Sequence, residues 1–511
     1  MKHKIKHENI ENMPFKNTYE EYVYHSSLAG FVHLNSPGAI ERYIWYIIHL
    51  LSLACTCFLI NYTWQNFMKN PTMTTVEAMG SRLAEIPMPG ISICNINKIS
   101  RRKAQIYADE LAARSRVSAE EILSNITLLG YLYEYNLPVK PERIIYFQNF
   151  LEKWDSAANG YYNTTDRLYR LQPTCFEVVK DCIWNGKRRP CEDIFVTELT
   201  MDGYCCVFNY VAHLSTTKIS PIVIANDNKP ISFGPTAALD FTILSNSSDT
   251  FFTTIATEAP VKILFSIPTD FPDTTSGGLV EKIIDRGTEI FLQVSSINTV
   301  ATDEVKKYPP SKRGCIFSDE IKTLFGSYSY SDCIMDCKIR SIVALCQCVP
   351  FNFINVFNNP NDHYFQCTLG DLQCLNAYTN KWKTLYPSDF TGTGLEREKQ
   401  DSIQCEHCIP TCSDTMYDVS SEFAIIYENG SVANYSLVHI SYEKSLGMFN
   451  KQDAYFYWFD MLSMFGGICS ITMGLSFVSV VEIFYFLIFV GIKKHLRKKR
   501  NKGFHDEHVL E

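Results

Sequence analysis

Two apolar segments constrain this chain more than any other feature. Only two stretches approach the roughly 20 consecutive apolar residues that carry a helix across a bilayer. The first, Tyr43 to Tyr62, reads YIWYIIHLLSLACTCFLINY and holds no Asp, Glu, Lys or Arg. A polar tail precedes it, which argues against a cleavable signal peptide and for a signal anchor. The second runs from Tyr455 to Ile492, interrupted by Asp460 and Glu482. At about 1.5 Å per residue it is too long for one straight span, so a break or a strong tilt is expected. Mean hydropathy over the chain is close to neutral, which excludes a polytopic transporter. The net charge of −8 argues against a nucleic-acid binder.

The flanks orient the spans. Lys493 to Arg500, KKHLRKKR, follows the second span and is the basic flank expected on the cytoplasmic side. The N-terminal tail mixes Lys and Glu and carries no such signal. With two spans both tails share one side, so residues 65–459 face the other. Of the 19 cysteines, 16 lie in that loop, while Cys55, Cys57 and Cys469 lie in the spans. An even count outside and strays in the bilayer is the mark of a disulfide framework in an oxidising compartment. Sequons at Asn125, Asn163, Asn246, Asn429 and Asn434 fall in the same loop, with Asn61 too near the membrane for glycosylation. These features describe a plasma-membrane protein with both termini cytoplasmic and a large extracellular body.

Within that body, the β-branched run after PMPG predicts a strand entering at Ile91 and ending at Cys94. From Ser100 to about Tyr135 the pattern is helical, with Ser118 and Glu121 spaced as a capping box. A tyrosine-rich stretch without clear period follows to Asp166. From Val261 to Val300 the chain reads as strands, with Ile290, Leu292 and Val294 alternating, and Val438, Ile440 and Tyr442 alternate again before the second span. The fold class expected is an α+β membrane protein, with two transmembrane helices flanking a disulfide-rich extracellular domain.

No nucleophile with a credible base and no phosphate-binding glycine loop is found, so an enzyme is not expected. The pairs Cys346/Cys348 and Cys405/Cys408 have the spacing of zinc half-sites, but the compartment favours disulfides and no metal. His363 and His407 read as surface histidines. The second span is the informative segment. Small residues recur at Gly466, Ser470 and Gly474 and at Ser463 and Gly467, a spacing that suits close helix packing. Packing alone does not require polar Thr472 and Ser476, or Glu482 near the inner face. Several copies placing this segment around an axis would form a narrow pore, with glycine allowing freed carbonyls to face ions. The alternative is a non-conducting two-span cell-surface receptor or accessory subunit.

In the order of its features the chain resembles the degenerin/epithelial sodium channel superfamily, which includes the acid-sensing ion channels. The resemblance rests on Arg42-x-x-Trp45, on Pro89-Gly-Ile-Ser-Ile-Cys94-Asn-Ile-Asn97, on ten cysteines from Cys315 to Cys412, and on Gly474-Leu475-Ser476. The stretch from Cys333 through Cys346-Gln-Cys348-Val-Pro-Phe is most like the insect pickpocket branch.

The resemblance implies an amiloride-sensitive, sodium-selective cation channel, a homo- or heterotrimer of related subunits in membrane lipid. Its opening would answer an extracellular ligand or mechanical force; sodium is the permeant ion and no cofactor or nucleic acid is implied. The implied layout is a cytoplasmic tail over 1–42, a first span over 43–64, an extracellular domain over 65–459, a pore-lining span over 460–492 and a tail over 493–511. Within the extracellular domain, finger elements occupy about 98–170, and palm and β-ball strands about 70–97, 200–310 and 415–450. The thumb occupies about 315–412. Its ten cysteines would pair as Cys315–Cys412, Cys333–Cys408, Cys337–Cys405, Cys346–Cys374 and Cys348–Cys367. By the same carry-over Cys175 pairs with Cys182, and Cys94 with Cys205 or Cys206, leaving the other for Cys191. Gly474, Leu475 and Ser476 align with the selectivity filter. Ser463, Met464, Gly466, Gly467 and Ser470 fall at the pore mouth and gate, with Ser463 at the small residue whose enlargement holds degenerins open. Met464 stands where acid-sensing relatives have Asp, and Ala29-Gly30 stands where the family has a His-Gly gating motif.

Overall fold

The computed structural model describes residues 22–23, 25–82, 86, 88–135, 140–155, 163–210, 238–255, 259–356, 365–386, 394–490 and 492. The basic run after the second span lies outside the described residues. The chain divides into two units, residues 74–453 and the two terminal segments 1–73 with 454–511.

The 74–453 unit is built on two sheets. In chain order the strands are β1 (Thr72–Arg82), β2 (Gly90–Asn95), β3 (Val179–Trp184), β4 (Lys187–Arg188), β5 (Val196–Thr200), β6 (Gly203–Phe208) and β7 (Leu239–Leu244). They continue as β8 (Val261–Ser266), β9 (Val280–Ile284), β10 (Thr288–Ala301), β11 (Asp414–Ile425), β12 (Tyr435–Tyr442) and β13 (Leu446–Ala454). The larger sheet runs β1-β13-β10-β12-β7-β3-β4 with β11 also paired to β10; the smaller runs β9-β8-β2-β6-β5. Strand β10 is the hub, parallel to β12 and antiparallel to β11. Its alternation buries Ile290, Leu292 and Val294, and β12 answers with Val438, Ile440 and Tyr442. Period-two patterning thus puts one face of each strand in a shared core with Trp184, Phe208 and Phe241.

A second core belongs to helices. Helix α1 (Arg101–Ser115) is capped by Ser100 and α2 (Ala119–Gly130) by Ser118, whose side chain accepts from Glu121 N. The tyrosine-rich stretch that lacked a clear period holds two more helices, α3 (Pro141–Trp154) and α4 (Thr164–Leu171). Ile144, Phe147 and Leu151 recur at helical spacing in α3 and are buried, but exposed Ile145 and Tyr146 blur that stripe in the sequence. A short helix α5 (Cys175–Val178) then leads into β3.

The cysteine-rich segment carries α6 (Tyr330–Cys346) and α7 (Leu372–Lys383). Bridges join Cys315–Cys412, Cys333–Cys408, Cys337–Cys405, Cys346–Cys374 and Cys348–Cys367, the five pairs that the resemblance implies. Cys333 and Cys337 lie four residues apart on α6, hence on one face, and both clamp the returning strand of chain at 405–408. The sulfurs of Cys333 and Cys408 beside exposed His407 are bonded to each other, so no zinc half-site exists there. One expectation is corrected. Cys175 pairs with Cys206 and Cys182 with Cys191, in place of Cys175 with Cys182, while Cys94 takes Cys205. Adjacent residues on β6 project to opposite sides, so Cys205 meets its cross-strand neighbour Cys94 and Cys206 meets α5 on the other face.

Helix α6 docks on the loop after β8 through buried polar groups. Lys338 Nζ lies 3.1 Å from Asp273 Oδ1, both essentially inaccessible, and Ser331 Oγ bonds Ser276 Oγ at 2.8 Å. Asp332 accepts from Phe271 N at 3.0 Å. Burial pushes the Asp332 carboxyl well above the carboxylate range, and neighbouring Asp270 adds to it; Asp270 is itself raised by burial and by Asp414. On the large sheet, His439 Nδ1 lies 3.0 Å from Asp240 and Nε2 3.3 Å from Glu289, with its ring stacked on Phe291. The Asp240 bond, against partial burial, raises its pKa above the ordinary value.

Both groups favour their protonated forms in the fold, so their contributions share a sign. The Asp332 contribution is full below the unfolded value near pH 4 and declines as pH rises toward its folded value; that of His439 is full below about 6.5 and is lost as pH rises through its folded value. Thermal melts of the full-length chain in detergent are therefore expected to fall between pH 5 and 8.5. Asp332→Asn and His439→Gln should each flatten that fall; parallel profiles for wild type and variants would contradict the assignment.

Four of the five sequons present an exposed Asn, but Asn125 is buried in α2, donating to Glu121 O and accepting from Arg143 Nε. Glycopeptide mass spectrometry should find Asn125 unmodified while Asn163, Asn246, Asn429 and Asn434 are open to modification.

Candidate ion-conducting segment

The terminal unit pairs two apolar segments. Helix Ala39–Lys69 extends the expected first span by a few residues at each end and is long and apolar enough to cross a membrane. Most of its large apolar side chains, Ile44, Ile47 and Leu51 among them, are exposed. A soluble fold would bury such a surface; lipid does not require it.

The second segment is a broken helix. Trp458–Met473 and Phe477–Phe484 meet at 76°, and the three residues between them are Gly474, Leu475 and Ser476. Each residue of the break has a chemical task. Gly474 sits at φ +66°, the left-handed conformation that ends a helix most easily when no Cβ is present. Its N–H bonds Ser470 O at 2.9 Å and Leu475 N bonds Cys469 O, which satisfies carbonyls that lipid cannot. Ser476 then caps the next helix, accepting from Ser479 N at 3.2 Å, while Ser479 Oγ accepts from Ser476 N. The expected break is therefore sited at Gly474-Leu475-Ser476. Gly466 and Gly467 remain inside regular helix.

Around the break, side chains sort by face. Thr472 Oγ1 bonds Thr56 Oγ1 at 2.7 Å, and Ser52 Oγ donates to Thr472 O at 2.9 Å, so this polar residue joins the spans. The small-residue row is uncovered. Ser463, Gly466, Gly467 and Ser470 are exposed along with Met464, and a Cβ on either glycine would meet nothing within 4 Å.

The stretch before the first span returns to the break. Gly30, at φ +78°, turns the chain so closely over Trp45 that a Cβ there would lie 2.7 Å from the indole. Ala29 packs on Gly474, where a Cβ would approach it to 2.9 Å. Ser27 N donates to Glu482 Oε2 at 2.9 Å, and Ser27 Oγ lies 2.6 Å from Ser479 Oγ. Glu482 therefore has a partner on its own chain. Sequence reasoning placed Ala29-Gly30 and Gly474-Ser476 separately; it missed Ser27, Ser479, Ser52 and Thr56, whose only signal was polarity within apolar surroundings.

Comparison with known proteins decides the family. A model described as amiloride-sensitive sodium channel matches residues 22–486. The chain belongs to that family. Sodium channel protein Nach of Drosophila ananassae is 23% identical over 495 residues, covering 94% of this chain and 88% of that protein. Pickpocket protein 11 of Drosophila melanogaster is 21% identical over 483 residues, 92% of this chain and 76% of its own length. The bile acid-sensitive ion channel of Mus musculus is 23% identical over 346 residues, 65% of this chain and 60% of its own. The Drosophila relatives match the insect pickpocket branch, and the family is one of cation channels, not enzymes.

A Ser27→Cys/Ser479→Cys chain should form an oxidant-dependent disulfide in membranes, read by a gel shift after cleavage between the two sites. Adding Gly474→Val, which displaces Ala29, should reduce the yield severalfold; an unchanged yield would contradict the packing of Ala29 on Gly474.

Proposed function

We propose that this chain is a pore-forming subunit of a trimeric, amiloride-sensitive, sodium-selective cation channel. It would act in the plasma membrane with both termini cytoplasmic, opening to an extracellular or mechanical stimulus. The observation that carries the proposal is the capped break at Gly474-Leu475-Ser476. A helix interrupted in lipid must satisfy its own backbone, and glycine followed by a capping serine does this while leaving carbonyls able to face water and ions. The uncovered row Ser463, Gly466, Gly467 and Ser470 would line the axis when three copies assemble. Family membership and relatives named as sodium channels support the same reading.

In this assignment the larger sheet is the palm and the smaller the β-ball, α1–α4 belong to the finger, and the bridged 315–412 segment is the thumb. Exposed Phe423 and Ile425 on the distal half of β11 offer neighbouring copies an apolar surface. The departures at Ala29 and Met464 favour a second arrangement, in which this subunit conducts only beside a related partner.

The test is voltage clamp of oocytes expressing the chain alone and with related pickpocket subunits. Enlarging Ser463 should raise amiloride-blocked sodium current by at least about tenfold if opening is otherwise rare. Ser476→Ala or Gly474→Ala should shift the sodium-to-potassium permeability ratio. Surface-expressed protein that never carries such current in any combination would leave the receptor reading in place.

A further inference from the structure

Outside the candidate pore, the 74–453 unit holds a cleft of about 730 Å³ at the junction of β2, β7, α1 and α5. That size falls in the range of small-molecule sites, roughly 300–1,000 Å³. Its walls are pinned by hydrogen bonds. Asn97 Oδ1 accepts from Phe251 N and Phe252 N, and Asn97 Nδ2 donates to Asp249 O at 3.0 Å. Asp249 Oδ1 in turn accepts from Arg102 N at 2.8 Å, tying the 247–253 segment to the start of α1.

The acidic groups of the cleft are thereby committed. Glu177 lies 2.6 Å from Arg102 and 3.4 Å from Lys103, and it accepts from Thr174 N at 2.8 Å. Partial burial raises its pKa, but the Thr174 bonds and the two cations outweigh that and hold it low, so the carboxylate stays charged. Two lining cations differ. Among the described residues Lys180 has no acidic partner, and Arg286 donates Nε to Ala433 O at 3.4 Å with no carboxylate beside it. Among a largely polar lining the cleft also presents apolar Pro173, Phe176, Val178, Leu244 and Pro260, with Leu244 41% exposed.

We propose that this cleft is a binding site for a small amphipathic organic anion, its acid group held by Lys180 and Arg286 and its apolar body by Phe176 and Leu244. Two uncompensated cations select the anion, and the apolar lining distinguishes an organic acid from an inorganic one. The site is independent of the pore assignment, because binding is measured without current.

The experiment is isothermal titration calorimetry of the deglycosylated full-length chain in nanodiscs, using 2-naphthoate, neutral 2-naphthamide and inorganic phosphate as probes. Saturable 2-naphthoate binding is expected, with naphthamide and phosphate weaker by about tenfold or more. Lys180→Gln/Arg286→Gln should weaken naphthoate by about tenfold or more, and Leu244→Glu should abolish it. An unchanged melting temperature would show that these surface variants fold. Equal naphthoate binding by wild type and the double variant, no saturable binding, or a preference for naphthamide would overturn the proposal.

Discussion

Everything in the terminal unit depends on how a helix can be interrupted inside lipid. Each backbone N–H and C=O left unpaired there costs several kcal/mol, so a broken span survives only when the break satisfies itself. Here a left-handed glycine ends one helix, two backbone bonds close over its last turn, and a serine caps the next. Substituting any residue with a Cβ at Gly474 would oppose both its φ and the approach of Ala29. The cluster around Ser27, Ser479 and Glu482 then holds the stretch preceding the first span against the same place. A break of this kind is one local solution to one electrostatic problem, and the polar residues around it belong to that solution.

The extracellular unit answers a different constraint. Its strands gather one face each into a core by simple alternation, while the helices form a second core that needs covalent help. Five bridges fix the 315–412 segment, and α6 is set on the β8 loop through Lys338–Asp273 and the buried Asp332. Buried ionic groups add little net stability compared with apolar packing, but removing one partner is severe. The docking is therefore specific more than strong, and its raised carboxyls make it sensitive to proton concentration.

Much of this was legible in the sequence where one physical signal dominated. The two apolar segments followed from length and apolarity, strands of the larger sheet from alternation at Ile290, Leu292 and Val294, and the break from an apolar segment too long to be straight. Family membership followed from motifs, and the comparisons show it. Legibility failed where the deciding contact is distant in the chain. Cys175 has nearer candidates in sequence than Cys206, yet the two faces of β6 decide its partner. Helix α3 was hidden because exposed Ile145 and Tyr146 interrupt its buried stripe. Thr472 was read as a polar residue needing a pore, when Thr56, more than 400 residues earlier, supplies its partner. Burial of Asn125 could not be known from a sequon.

The central proposal is that the row through Ser463, Gly467 and Ser470 faces water while Ile471, on another face of the same helix, faces lipid. The most direct measurement is labelling of single cysteines by a membrane-impermeant thiol reagent on intact cells, with Cys55, Cys57 and Cys469 replaced by Ser. Ser470→Cys should react and be protected by amiloride, whereas Ile471→Cys, equally uncovered in the isolated chain, should not. Reaction at Ile471 with none at Ser470 would place the aqueous face elsewhere and contradict the account.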